Sequence, residues 1–120
     1  MRVQIKSVAG KGIPEKERLV LRVLLDTNIG DFVVMRTGYG ANGVTIDVTN
    51  TYWFPYKEVS AGDLIILYTK AGKDSEKDIE DGKKAHFFYW EIEGSIWNTA
   101  TKAPVLLYAP EWEMKAPGDL

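Results

Sequence analysis

The side chains that could do chemistry in this chain are few and scattered. His86 is the single histidine and there is no cysteine. A multi-histidine metal site, a thiolate nucleophile and a thiolate zinc site are therefore impossible within one copy. Ser60, Ser75 and Ser95 stand outside any strand-turn-helix elbow that would expose a nucleophile, and one histidine leaves little to activate them. Asp74, Glu76, Asp78 and Glu80 imitate the alternating oxygen ligands of a calcium loop. The sixth position, where the sharp turn needs glycine, holds Ile79, and the twelfth, where a bidentate Glu closes the site, holds Ala85. Five lysines between positions 70 and 84 offset the five acids there, so residues 71–84 are predicted to form a solvated, mobile hairpin loop without a metal. Gly38-Tyr39-Gly40-Ala41-Asn42-Gly43 lacks the Lys-Ser/Thr and the helix start of a phosphate loop and reads as a tight turn, with Asn42-Gly43 suited to positive φ. Glu91, Glu93 and Asp47 are the remaining acid–base candidates, and all three are placed outward on strands. No catalytic residue, cofactor or metal is expected, and His86 reads as a structural residue on the Phe88 face near a strand start.

Binding chemistry is better represented than catalytic chemistry. Phe87-Phe88-Tyr89-Trp90 puts aromatics on both faces of one strand, and a two-sheet sandwich hides only one of them. Phe87 and Tyr89 therefore point outward, to be covered by a loop, a second copy or a partner. Trp97-Asn98 in a loop and Trp112, between Glu111 and Glu113, complete the candidate partner-binding set. Trp90, sharing a face with Phe88 and Ile92, is expected in the core, where truncation to Ala costs about 3–5 kcal/mol. Trp97 and Trp112 are expected to behave as surface residues, costing about 2 kcal/mol or less.

The 120 residues bound the partners further. Fifteen basic against seventeen acidic residues give a net charge of −2, without the basic excess that nucleic-acid binders show, so nucleic acid is not an expected partner. No apolar run approaches the roughly 20 residues of a spanning helix. Met1-Arg2-Val3-Gln4-Ile5-Lys6 reads as a strand, not a signal segment. A cytoplasmic setting and a protein partner or homo-oligomer are the expectation.

The elements that must position these residues repeat with period two, not with a helical period. Strands are predicted at Val3 and Ile5, Leu19–Leu25, Phe32–Met35, Val44–Thr49, Leu64–Tyr68, His86–Glu93 and Val105–Tyr108. Within the fourth, Val44, Ile46 and Val48 are expected to face inward and Thr45, Asp47 and Thr49 outward. Turn residues separate the strands at the roughly 8–12-residue spacing of a sandwich. The predicted fold is all-β, a single immunoglobulin-like β-sandwich of about seven strands over residues 1–114, with a tail over 115–120 and under roughly a tenth helix.

Taken in order, these motifs resemble the lamin-tail-like domain, an immunoglobulin-type β-sandwich of nuclear lamins and many bacterial proteins. The matching residues are Val3-Gln4-Ile5, the segment from Glu17 to Asn28, Tyr52-Trp53-Phe54-Pro55, Val59, Ala61-Gly62 before Leu64–Tyr68, and Trp97-Asn98 before Val105–Tyr108. Ala61 stands where the family usually has Pro, and Lys102-Ala103-Pro104 and Ala109-Pro110-Glu111 depart from its last-strand pattern. The resemblance implies binding or scaffolding, not catalysis. The expected function is thus a non-catalytic interaction or scaffolding module for a protein partner, with a carbohydrate- or small-ligand-binding sandwich using aromatic platforms as the alternative.

Overall fold

The computed structural model describes residues 1–120 as an all-β sandwich, 49% strand, whose only helical pieces are three short 3-10 turns. Ten strands follow one another: β1 (Val3–Ala9), β2 (Arg18–Val23), β3 (Thr27–Asn28), β4 (Phe32–Gly40), β5 (Gly43–Trp53), β6 (Glu58–Val59), β7 (Leu64–Tyr68), β8 (Ser75–Asp78), β9 (Lys84–Tyr89) and β10 (Lys102–Tyr108). The larger sheet has the order β1-β2-β7-β9-β8, the smaller one β10-β4-β5, and β3 pairs with β6. All pairs are antiparallel except β7 with β9.

The core follows from strand alternation. Leu19, Leu21 and Val23 of β2, Ile65 and Leu67 of β7 and Phe88 of β9 meet Phe32 and Val34 of β4 and Phe54, which follows β5. Ile29 and Val59 close one end. Phe54 stands edge-on to both Tyr52 and Phe88, at 5.0 and 5.1 Å between ring centroids, so the aromatic-Phe-Pro motif ties one sheet to the other. Pro55 then ends the strand, since it has no N–H to give a ladder. The turn into β7 is of type II, with Asp63 N–H bonded to Ser60 C=O at 3.0 Å and Gly62 at φ +91° in the i+2 position.

Four sequence expectations change here. Val44, Ile46 and Val48 are exposed, not inward, and so are Thr45, Asp47 and Thr49 between them. No layer covers either face of this part of β5, and register shifts after Arg36 and Thr37 break the alternation that the composition suggested. Ser75–Asp78, expected within a mobile loop, forms the edge strand β8 against β9. Leu24 and Leu25 lie past the end of β2 and are exposed. The hairpin turn falls at Ala41-Asn42 between the paired Gly40 and Gly43, with the positive φ at Gly43 and not at Asn42.

Candidate functional site

Two carboxyl groups lie deep in the fold, and both act as anchors. Glu17 immediately precedes β2, and its Oε1 accepts hydrogen bonds from Thr69 Oγ1 (2.9 Å), Ile96 N–H (2.8 Å) and Trp97 N–H (3.1 Å). Its Oε2 accepts from Gly12 N–H at 3.3 Å. One carboxyl group thereby fastens the 10–16 turn, the end of β7 and the 95–98 loop together. Asp63, at the start of β7, accepts from Ser60 N–H and Lys84 N–H, both at 3.0 Å, and lies 2.8 Å from His86 Nε2. Burial opposes its ionisation. The His86 hydrogen bond, the two amides and the charge interaction with the imidazole outweigh that and hold the carboxyl below the usual carboxylate range. His86 is buried on the Phe88 side, and its Nδ1 has no hydrogen-bond partner. The pair pins a turn to a strand start and is closed off from solvent.

The outward-facing surfaces offer more. On the larger sheet the register lines up three rows, Arg18–Tyr68–Tyr89, Val20–Ile66–Phe87 and Arg22–Leu64–Ala85–Lys77. Tyr68 and Tyr89 stack at 5.4 Å and 9°, and Phe87 lies 6.5 Å from Tyr68. Lys70 Nζ sits 4.9 Å above the Tyr68 ring, Arg18 Cζ 5.8 Å from the same ring, and Lys77 Nζ 5.8 Å from Phe87. The strand rows carry no acidic side chain, because alternation turns Glu76 and Asp78 of β8 to the opposite side. There Glu76 bridges Lys57 (2.8 Å) and Lys84 (2.7 Å), and hydrogen bonds to Lys57 and Lys84 draw its carboxyl down to about 2. Acidic residues gather beyond Lys70 instead, where Glu15, Glu91 and Glu93 border a cleft of about 540 Å³.

The smaller sheet turns a different chemistry outward. Val33, Met35, Val105, Leu107 and Trp53 share its outer face by register, and its strands contribute no charged side chain there. Trp112 packs edge-on against Trp53 at 4.9 Å, and both are about half exposed. Trp53 Nε1 donates to Gly30 C=O and Trp112 Nε1 to Tyr56 Oη. At the far end of this sheet Ile46 is 100% exposed.

Of the residues singled out in the sequence, Phe87 and Tyr89 do point outward and are half-buried, with Gly72 packed on the Tyr89 ring. Trp112 is exposed and Asn98 likewise. Trp97 is the correction: at 3% exposure it is a core residue, fixed by Glu17 and packed on Trp90 at 6.1 Å. Trp90 lies past the end of β9 and is only partly buried. Glu91 and Glu93 also lie past β9, with Glu91 at φ +63°, so they are loop residues rather than outward strand residues. The set therefore divides between the larger sheet (Phe87, Tyr89), the loop before β10 (Trp97, Asn98) and the segment after β10 that packs on the smaller sheet (Trp112), and does not form one site. Arg18, Tyr68 and Lys77 were missed. Their signal was present as the alternation Arg18, Val20, Arg22 and the spacing Ser75, Lys77, hidden because neighbouring acids balanced the total charge. Comparison with protein-family models, curated proteins and solved structures finds no match to the chain.

Proposed function

We propose that this chain is a non-catalytic interaction module that binds a protein partner on the outer face of its smaller sheet. The observation that carries this reading is the uncharged character of that face, centred on Val33, Met35, Val105, Leu107 and Trp53, with the fully exposed Ile46 at the far end of the same sheet. Charged residues are depleted and aromatics enriched at the centre of protein interfaces, as they are here. The lamin-tail-like resemblance, with its immunoglobulin-type sandwich, supports the same reading, because what it implies is binding or scaffolding. The test is a photo-crosslinking residue placed at Ile46 in the full chain, followed by reconstitution of the captured pair from purified components. Ile46→Asp and Val48→Asp should each weaken that complex by about tenfold, a loss of about 1.4 kcal/mol. A reconstituted complex indifferent to both substitutions would overturn the proposal.

A second reading rests on Trp53, Trp112 and Tyr56, all substantially exposed and joined by ring contact and the Trp112–Tyr56 hydrogen bond. Such a platform suits the apolar face of a sugar ring. Binding on a glycan array that Trp112→Ala abolishes would favour it over the protein partner.

A further inference from the structure

We infer that the outer face of the larger sheet is a second binding surface, for a protein segment in which acidic residues flank apolar ones. The inference uses a different face from the proposed function and does not depend on it. Its basis is the segregation of charge. The chain as a whole is acidic, yet Arg18, Arg22, Lys70 and Lys77 rim a centre made of Val20, Ile66 and Phe87. Of these four, Lys70 alone is ion-paired, with Glu15 at 3.8 Å. The other three rim cations make no salt bridge.

The ring geometry selects among anionic ligands. The Tyr68 and Tyr89 rings lie against each other, Gly72 backs Tyr89, and Lys70 and Arg18 lie over Tyr68. Lys77 lies over Phe87 in the same way. Single-stranded nucleic acid draws much of its affinity from bases laid on free ring faces, whereas here cations lie over Tyr68 and Phe87, and Tyr89 is packed between Tyr68 and Gly72. The rings instead hold the cations in fixed positions around an aliphatic and aromatic centre, reducing the side-chain entropy lost when a carboxylate binds. Carboxylates at the rim and apolar side chains on the Val20–Ile66–Phe87 row satisfy both features.

The test is a nuclear magnetic resonance titration of the isotopically labelled full chain with three probes. These are a soluble synthetic peptide alternating Glu with Leu, the same peptide with Lys for Glu, and an oligothymidylate. The Glu–Leu peptide should shift the amides of Val20, Ile66, Tyr68 and Phe87, with affinity falling as salt rises, and the Lys–Leu peptide should not. The doubly substituted R22E/K77E chain should bind the Glu–Leu peptide about tenfold more weakly and begin to bind the Lys–Leu one. Both substituted residues are exposed, and an unchanged melting temperature verifies the fold. Absence of binding, shifts confined to the other sheet, or preference for the oligothymidylate would each overturn the inference.

Discussion

At the scale of single residues, the buried carboxylates account for more of this structure than any residue with catalytic potential. Trp97 owes its burial to Glu17, which takes the amides of both Ile96 and Trp97 and turns the ring into the core. Trp97→Ala should therefore cost about 3–5 kcal/mol in urea melts, and Trp90→Ala, from a partly buried ring, nearer 2. Asp63 carries a pH dependence of definite sign. Its folded-state pKa lies below the unfolded value, so its contribution is present above the unfolded pKa of about 3.9 and disappears as pH falls through the folded one. Asp63→Asn should lower stability at neutral pH and flatten the loss of stability on acidification below about pH 4, measured as melting temperature against pH. Neither anchor could be recognised in the sequence as buried. Glu17 lies in Lys16-Glu17-Arg18, which reads as solvated charge, and its partners Ile96 and Trp97 are about eighty positions away. His86 was legible, because its period-two neighbours Phe88 and Trp90 marked a core-facing position.

At the scale of elements, the turn into β7 explains why Ala and not Pro stands at position 61. Ala61 occupies position i+1 of the type II turn, where Pro is favoured. Its N–H donates to Asp26 Oδ1 at 2.9 Å, a bond that proline cannot make. Ala61→Pro should therefore forgo the usual entropic gain and leave the protein about 0.5–1 kcal/mol less stable by chemical denaturation. Sequence periodicity located seven of the ten strands, six of them because their apolar residues alternate against a single core. It failed for β8, where alternation is carried by charged side chains at a sheet edge, and for the inward face of β5. Val44, Ile46 and Val48 look like a core-facing set, yet what makes a residue buried is an opposing layer, and none reaches that far along the hairpin. The candidate surfaces were legible to the same extent: Phe87, Tyr89 and Trp112 emerged from aromatic content. The cations that complete the larger face depend on register between strands distant in sequence.

At the scale of the whole molecule, the sandwich presents two unlike outer faces, one uncharged and one rimmed with cations. Ile46 has no part in holding the fold together, since its side chain is entirely in solvent. Ile46→Asp should leave the melting temperature within about a degree while raising solubility, as surface substitutions stay within about ±0.5 kcal/mol. The long-range reach of Glu17 bears on the whole chain in time as well as in space. Its hydrogen bonds close loops of 79 and 80 residues, among the slowest contacts for a chain to find. Until Ile96 and Trp97 arrive, the carboxylate keeps its water, so this knot is expected to tighten late, after the folding barrier has been crossed. Glu17→Gln should accordingly leave the refolding rate nearly unchanged and speed unfolding, a lopsided chevron in stopped-flow measurements. The carboxyl then sets how long the native state lasts rather than how quickly it is reached.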